Sequence, residues 1–140
     1  MRYYIEIMAA LLFITAILHV YWALGGRWGV GVVLPTGRDG KPAFQPGMGA
    51  TFTVAALLLL AGLLLLFRVE IFSLPFQWGN GWSKALCFLA MLVFAVRGVG
   101  AYCLILSRPH SRPGNWKWDL YLFSPICLLL AIGFAMAWLY

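Results

Sequence analysis

Four long apolar runs divide the chain, at about Tyr4 to Leu24, Ala50 to Phe67, Ala85 to Leu106 and Leu120 to Tyr140. Each has about 18 to 22 residues, or roughly 27 to 33 Å as helix, which matches the hydrocarbon thickness of a bilayer. Alternation of apolar and polar residues at period two is absent, so the runs do not read as barrel strands. A backbone in lipid must satisfy its own hydrogen bonds, which leaves helices. The pattern predicts an all-α membrane protein, a four-transmembrane-helix bundle with a long first loop and a single domain over 1–140. The alternative for the first run is a cleaved signal peptide with Arg2 in its n-region. The run is too long for an h-region and offers no convincing Ala-x-Ala site.

Composition agrees with this pattern. Of 140 residues, 64% are hydrophobic and 10% charged, with a mean hydropathy of +0.91. A soluble domain carries roughly a quarter charged residues. The net charge of +6 is dispersed along the chain. Basic residues flanking helices bind anionic headgroups and fix orientation, so membrane lipids are the expected partners. No nucleic-acid module is visible and none is expected to act.

Loop one (Gly25 to Gly49) and loop three (Ser107 to Asp119) share one side. They hold Arg27, Arg38, Lys41, Arg108, Arg112 and Lys117, against Arg2, Arg68 and Lys84 on the terminal side. The positive-inside bias then puts loops one and three in the cytoplasm and both termini outside. Loop one, "VVLPTGRDGKPAFQPG", is stiffened by prolines around an Arg38-Asp39-Gly40-Lys41 turn. It is read as a lid or as a hairpin lying on the headgroups. Loop two is rich in aromatic residues and reads as interfacial. Helix two, "VAALLLLAGLLLLF", carries no polar side chain and is expected to face lipid or a second copy, so a homo-oligomer is one expected assembly.

Several chemistries drop out. Cys87, Cys103 and Cys127 all lie in predicted spans without a C-x-x-C, and read as packing residues. Two histidines without H-E-x-x-H make no convincing metal centre. "GRDGK" is not a P-loop. Neither metal nor cofactor is expected.

The polar residues inside the spans carry what chemistry there is. In "ILHVYWALGGRWG", His19 lies roughly 9 Å deep from the loop-one side. Arg97 lies roughly 13 Å deep from the same side, and Asp119 opens the fourth helix there. An arginine deep in a span costs about 3 kcal/mol on insertion scales, so it is expected to face the interior or water and to have a partner. The competing readings are plain. Arg97 is also a candidate strut to Asp119. His19 is also a candidate interhelical hydrogen-bond donor, Trp22 a belt tryptophan, and Asp119 a simple N-cap. Gly98 and Gly100 leave room for close helix approach or for a ligand. Ser124-Pro125 frees a carbonyl one turn earlier and marks a kink.

"HVYWALGGRWG", Pro35, "RGVGAY" and "WDLYLFSPICLL" together resemble an uncharacterised family of small bacterial four-span inner-membrane proteins, a domain of unknown function. The resemblance covers essentially the whole chain. It implies a fold and a bacterial inner-membrane location but no activity. Phe123 stands where the family pattern often has tyrosine, so no role rests on a hydroxyl there.

The expected site has His19, Trp22 and Arg27 as one wall, Arg97 as floor and Asp119 as the opposite wall. Its positive character suits an anionic, phosphate-bearing or lipid-like amphiphile, since arginine matches phosphate bidentately. The leading expectation is a protein that binds or moves such a ligand. The second is a membrane enzyme with His19 as acid/base and Arg97 as oxyanion clamp. The third is a structural subunit whose polar cluster fixes helix register.

Overall fold

The computed structural model describes residues 2–34, 46–69, 80–107 and 116–139. Among the described residues four helices are long and apolar enough to cross a membrane. They are α1 (Arg2–Ala23), α3 (Met48–Arg68), α4 (Asn80–Ser107) and a fourth span. That span runs through α5 (Trp116–Trp118), a π-helical turn (Asp119–Phe123) and α6 (Ser124–Leu139). A one-turn helix, α2 (Val30–Val33), follows α1. The middle of the expected lid (35–45), most of loop two (70–79), and Arg38, Lys41, Arg108, His110 and Arg112 fall outside the described residues.

The helices associate as two antiparallel pairs, α1 on α3 and α4 on α6. Without a hydrophobic drive between helices in lipid, small residues that admit close backbones decide where they pack. In the first pair Ala9, Ala16 and Ala23 of α1 are buried, as are Thr51, Ala55 and Gly62 of α3. The Phe13 ring lies over Gly62. Helix two therefore does not simply face lipid, as its sequence suggested. Gly62 and Ala55 draw one face onto α1 and bury Leu65 completely. The opposite face, with Leu57, Leu60 and Leu63, is exposed.

In the second pair Gly98 is the point of closest approach. A Cβ there would lie 2.9 Å from Leu128 and 3.2 Å from the Ser124 carbonyl oxygen. Around Gly100 a Cβ would meet nothing within 4 Å. The two glycines of "RGVGAY" thus serve differently, and only Gly98 is required by packing.

The core that joins the pairs lies at the terminal end of the bundle. Its buried members are Ile5, Met8, Ala9 and Leu12 of α1, Leu65 at the end of α3, with Val69 just after it, Cys87 of α4, and Leu130, Phe134 and Ala137 of α6. Phe94 stacks on Phe134 with centroids 5.7 Å apart. Tyr4 donates its hydroxyl to the Leu129 carbonyl at 2.7 Å. Arg68 closes this end. Its place at the end of an apolar run suits a flanking surface cation, yet it is only 7% exposed. It donates Nε to the Ala137 carbonyl at 3.0 Å and Nη1 to Ser83 Oγ at 3.3 Å. The reason is the end of α6, whose last carbonyls lack intrahelical donors and carry the negative end of the helix dipole.

Candidate intramembrane polar site

The end of α1 explains much of the His-Val-Tyr-Trp block. Gly25 takes a left-handed conformation, φ 94°, which an L side chain rarely adopts. Its N–H donates to the Trp22 carbonyl at 3.0 Å and the Gly26 N–H to the Tyr21 carbonyl at 2.9 Å. These are the paired bonds of a Schellman cap. The Tyr21 ring lies against Gly26, where a Cβ would collide with it. Trp22 Nε1 donates to the Trp28 carbonyl at 2.8 Å, tying the following turn back onto the helix. Arg27 stands exposed on this turn.

His19 is half-buried and its ring meets Trp22 edge-on, with centroids 5.1 Å apart. Its Nδ1 is 2.8 Å from the Thr15 carbonyl oxygen. A carbonyl only accepts, so Nδ1 carries a proton and donates it to this bond. The interhelical bond considered for His19 is not what forms, because the i−4 carbonyl is nearer to hand. The stripe on which His19 lies includes Tyr4 and Met8, which meet α6 at Leu129 and Gly133 further down α1.

Arg97 meets Asp119 as expected. Nη2 lies 2.8 Å from Oδ1. Two details differ from the expectation. Asp119 is not the N-cap of the fourth span, because that helix begins at Trp116 and places Asp119 in the following π turn. Nor is Arg97 a buried floor. Its side chain is 49% exposed against 20% for Asp119, because Gly98, not Arg97, occupies the face turned to α6. Among the described residues, this one bond is the guanidinium's whole complement of partners, so four of its five N–H donors stay open.

The π turn has a local cause. Pro125 has no N–H, so one carbonyl on the preceding turn loses its donor. In the π register the Ser124 N–H goes to Asp119, and the orphan is Leu120. Tyr102 donates its hydroxyl to that oxygen at 3.0 Å. Tyr102 was missed by sequence reasoning, although its place in "RGVGAY", five residues after Arg97, is the signal. Ser124 Oγ is fully buried and has no partner among the described residues.

Two groups thus form. His19 and Trp22 sit on α1, and Arg97 with Asp119 on the second pair. Among the described residues no hydrogen bond, ion pair or ring contact joins them. Of the cysteines, Cys87 is buried, Cys127 half-buried and Cys103 exposed. No group of three potential metal ligands occurs among the described residues.

The motifs that meet here, Arg97 through Tyr102 and Asp119 through Pro125, lie inside a stretch matched by a family model. Residues 12–134 match the model described as Protein of unknown function (DUF3995). The chain belongs to the DUF3995 family. For this DUF3995 chain no curated protein and no solved structure matches, so membership fixes a small multi-span membrane protein and leaves its chemistry to the geometry.

Proposed function

We propose that this DUF3995 protein binds or moves an anionic, lipid-like ligand at an intramembrane site centred on Arg97. The supporting observation is a guanidinium inside a span that is held on one edge by Asp119 and stays about half exposed on the rest. A strut would be spent on its partner, whereas this fork keeps the geometry that pairs bidentately with phosphate or carboxylate. His19 and Trp22 lie on the same side of the membrane, and Arg27 stands in the turn above them. They supply an imidazole, an amphipathic ring and a second cation for a ligand entering from that side. Such a ligand is a membrane lipid or resembles one. The protein lies in the bacterial inner membrane with loops one and three cytoplasmic, following the balance of basic residues.

The test is lipid analysis of protein excised from native membrane in polymer discs. Anionic lipid should be enriched over the bulk membrane, and Arg97→Gln should return it to the bulk ratio. Arg97→Lys should retain only part of the enrichment, because an ammonium lacks the planar fork. Equal enrichment in wild type and Arg97→Gln would sink the proposal.

A further inference from the structure

The exposed faces of α3 and α4 flank an open groove of about 970 Å³. Val54, Leu57 and Phe67 line one wall and Leu86, Ala90 and Val93 the other. Among the described residues Ser83 is the sole polar one in the lining. None of the five candidate site residues lines the groove, yet its course leads to one of them. On α4, Leu86, Ala90, Val93 and Arg97 follow at spacings of four, three and four, so they share one stripe. Arg97 continues that stripe one turn beyond the last lining residue, Val93.

The depth agrees. The bond from Arg68 to Ser83 fixes α3 against α4 at the terminal end. Val54 lies fourteen residues before Arg68, and Arg97 fourteen after Ser83. Each is therefore about 21 Å along its helix from that contact. Val54 is the lining residue of α3 nearest loop one, so Arg97 stands level with the groove's end. The groove is apolar along its length, and Arg97 lies one helical turn beyond Val93, just past its lining.

We infer that this groove holds an acyl chain of an anionic phospholipid whose phosphate is gripped by Arg97. This rests on the reading of Arg97 given above and adds where the tail lies. The chain runs from Arg97 past Val93, Ala90 and Leu86 toward Ser83. Asp119 holds one guanidinium nitrogen and leaves the other N–H groups to the phosphate.

Native mass spectrometry of the detergent-purified protein tests this, with equimolar dioleoylphosphatidylglycerol and dioleoylphosphatidylcholine as probes. Wild type should retain phosphatidylglycerol with a preference of about tenfold, the equivalent of one charge-assisted contact. Inorganic phosphate alone should give no thermal shift, since it brings no tail. Ala90→Trp fills the groove and should lower phosphatidylglycerol retention about tenfold. If that variant does not fold, Leu57→Trp at a 61% exposed position carries the same test. Loss of the preference in Arg97→Gln, with full retention in folded groove variants, would overturn the tail assignment and spare the Arg97 reading. An unchanged preference in Arg97→Gln would overturn both. Equal retention of the two lipids would mark ordinary annular lipid. A lipid-free dimer abolished by Leu57→Trp would make a second copy the occupant. Either result defeats the inference.

Discussion

Tyr102 and Leu120 are joined across the second helix pair by a hydroxyl-to-carbonyl bond of 3.0 Å, at the carbonyl that Pro125 leaves without a backbone donor. A proline in a transmembrane helix is tolerated when a neighbour re-satisfies the freed group. Tyr102→Phe should therefore lower the free energy of unfolding by about 1 to 2 kcal/mol. Combining it with Pro125→Ala, which restores the N–H, should recover most of the loss. Detergent thermal unfolding of the single and double variants measures this, and equal losses in both would refute the linkage.

Gly98 and Gly100 make a matched pair of substitutions. Gly98→Ala places a methyl group 3.2 Å from a backbone oxygen, which cannot rotate away. It should cost about 1 to 3 kcal/mol. Gly100→Ala meets open space and should be neutral or slightly stabilising, since alanine is the better helix former. The same melting experiment ranks them, and a reversed order would contradict the α4–α6 contact.

Arg68 should be the most sensitive cation for folding. Arg68→Met keeps much of the side-chain volume but strips the Ala137 carbonyl and Ser83 of a charged donor. The expected cost is about 2 to 3 kcal/mol. Arg97→Leu should be mild, because it removes a half-exposed charge and the smaller demand of one ion pair. Folded yield and melting temperature of the two variants should diverge in that order.

Orientation is open to a direct measurement. Single cysteines at Gly47 and Gly81, both exposed, can be placed in a cysteine-free background. In intact cells an impermeant thiol reagent should label Gly81→Cys and spare Gly47→Cys. The opposite pattern would invert the topology derived from the basic residues.

The spans were legible because bilayer thickness demands a length of apolar sequence that little else produces. The Arg97–Asp119 pair was legible because charge is scarce, so a deep cation had few partners available. Arg68 was not. A cation at the last turn of an apolar run looks the same whether it snorkels to water or caps a neighbouring helix. The partners that distinguish these cases are a carbonyl, invisible in side-chain patterns, and a serine 15 residues away. Helix two misled for a related reason. Leu57, Leu60 and Leu65 are one residue type, and only the position of Gly62 and Ala55 decides which leucine is buried. The His-Val-Tyr-Trp block suggested a wall of a site. Much of it is accounted for by local capping geometry around Gly25 and Gly26.

The placement of the core has a mechanical consequence. Its buried members gather where Ile5, Leu65, Cys87 and Phe134 meet, and none lies beyond Leu12 on α1 or Cys87 on α4 toward the other face. Two packed pairs fastened to each other near one end behave as a clothes peg. The stiffness of one pair against the other is greatest at the fastening and declines with distance from it, because the lever arm grows while the bracing between the pairs falls away. Backbone amide exchange should follow the same gradient, slowest around Leu12 and Leu130 and faster toward His19 and Ile105. Sideways forces from the surrounding lipid, which change with chain packing and curvature, would then act mainly on the free ends of the two pairs, where Arg97 and His19 reside.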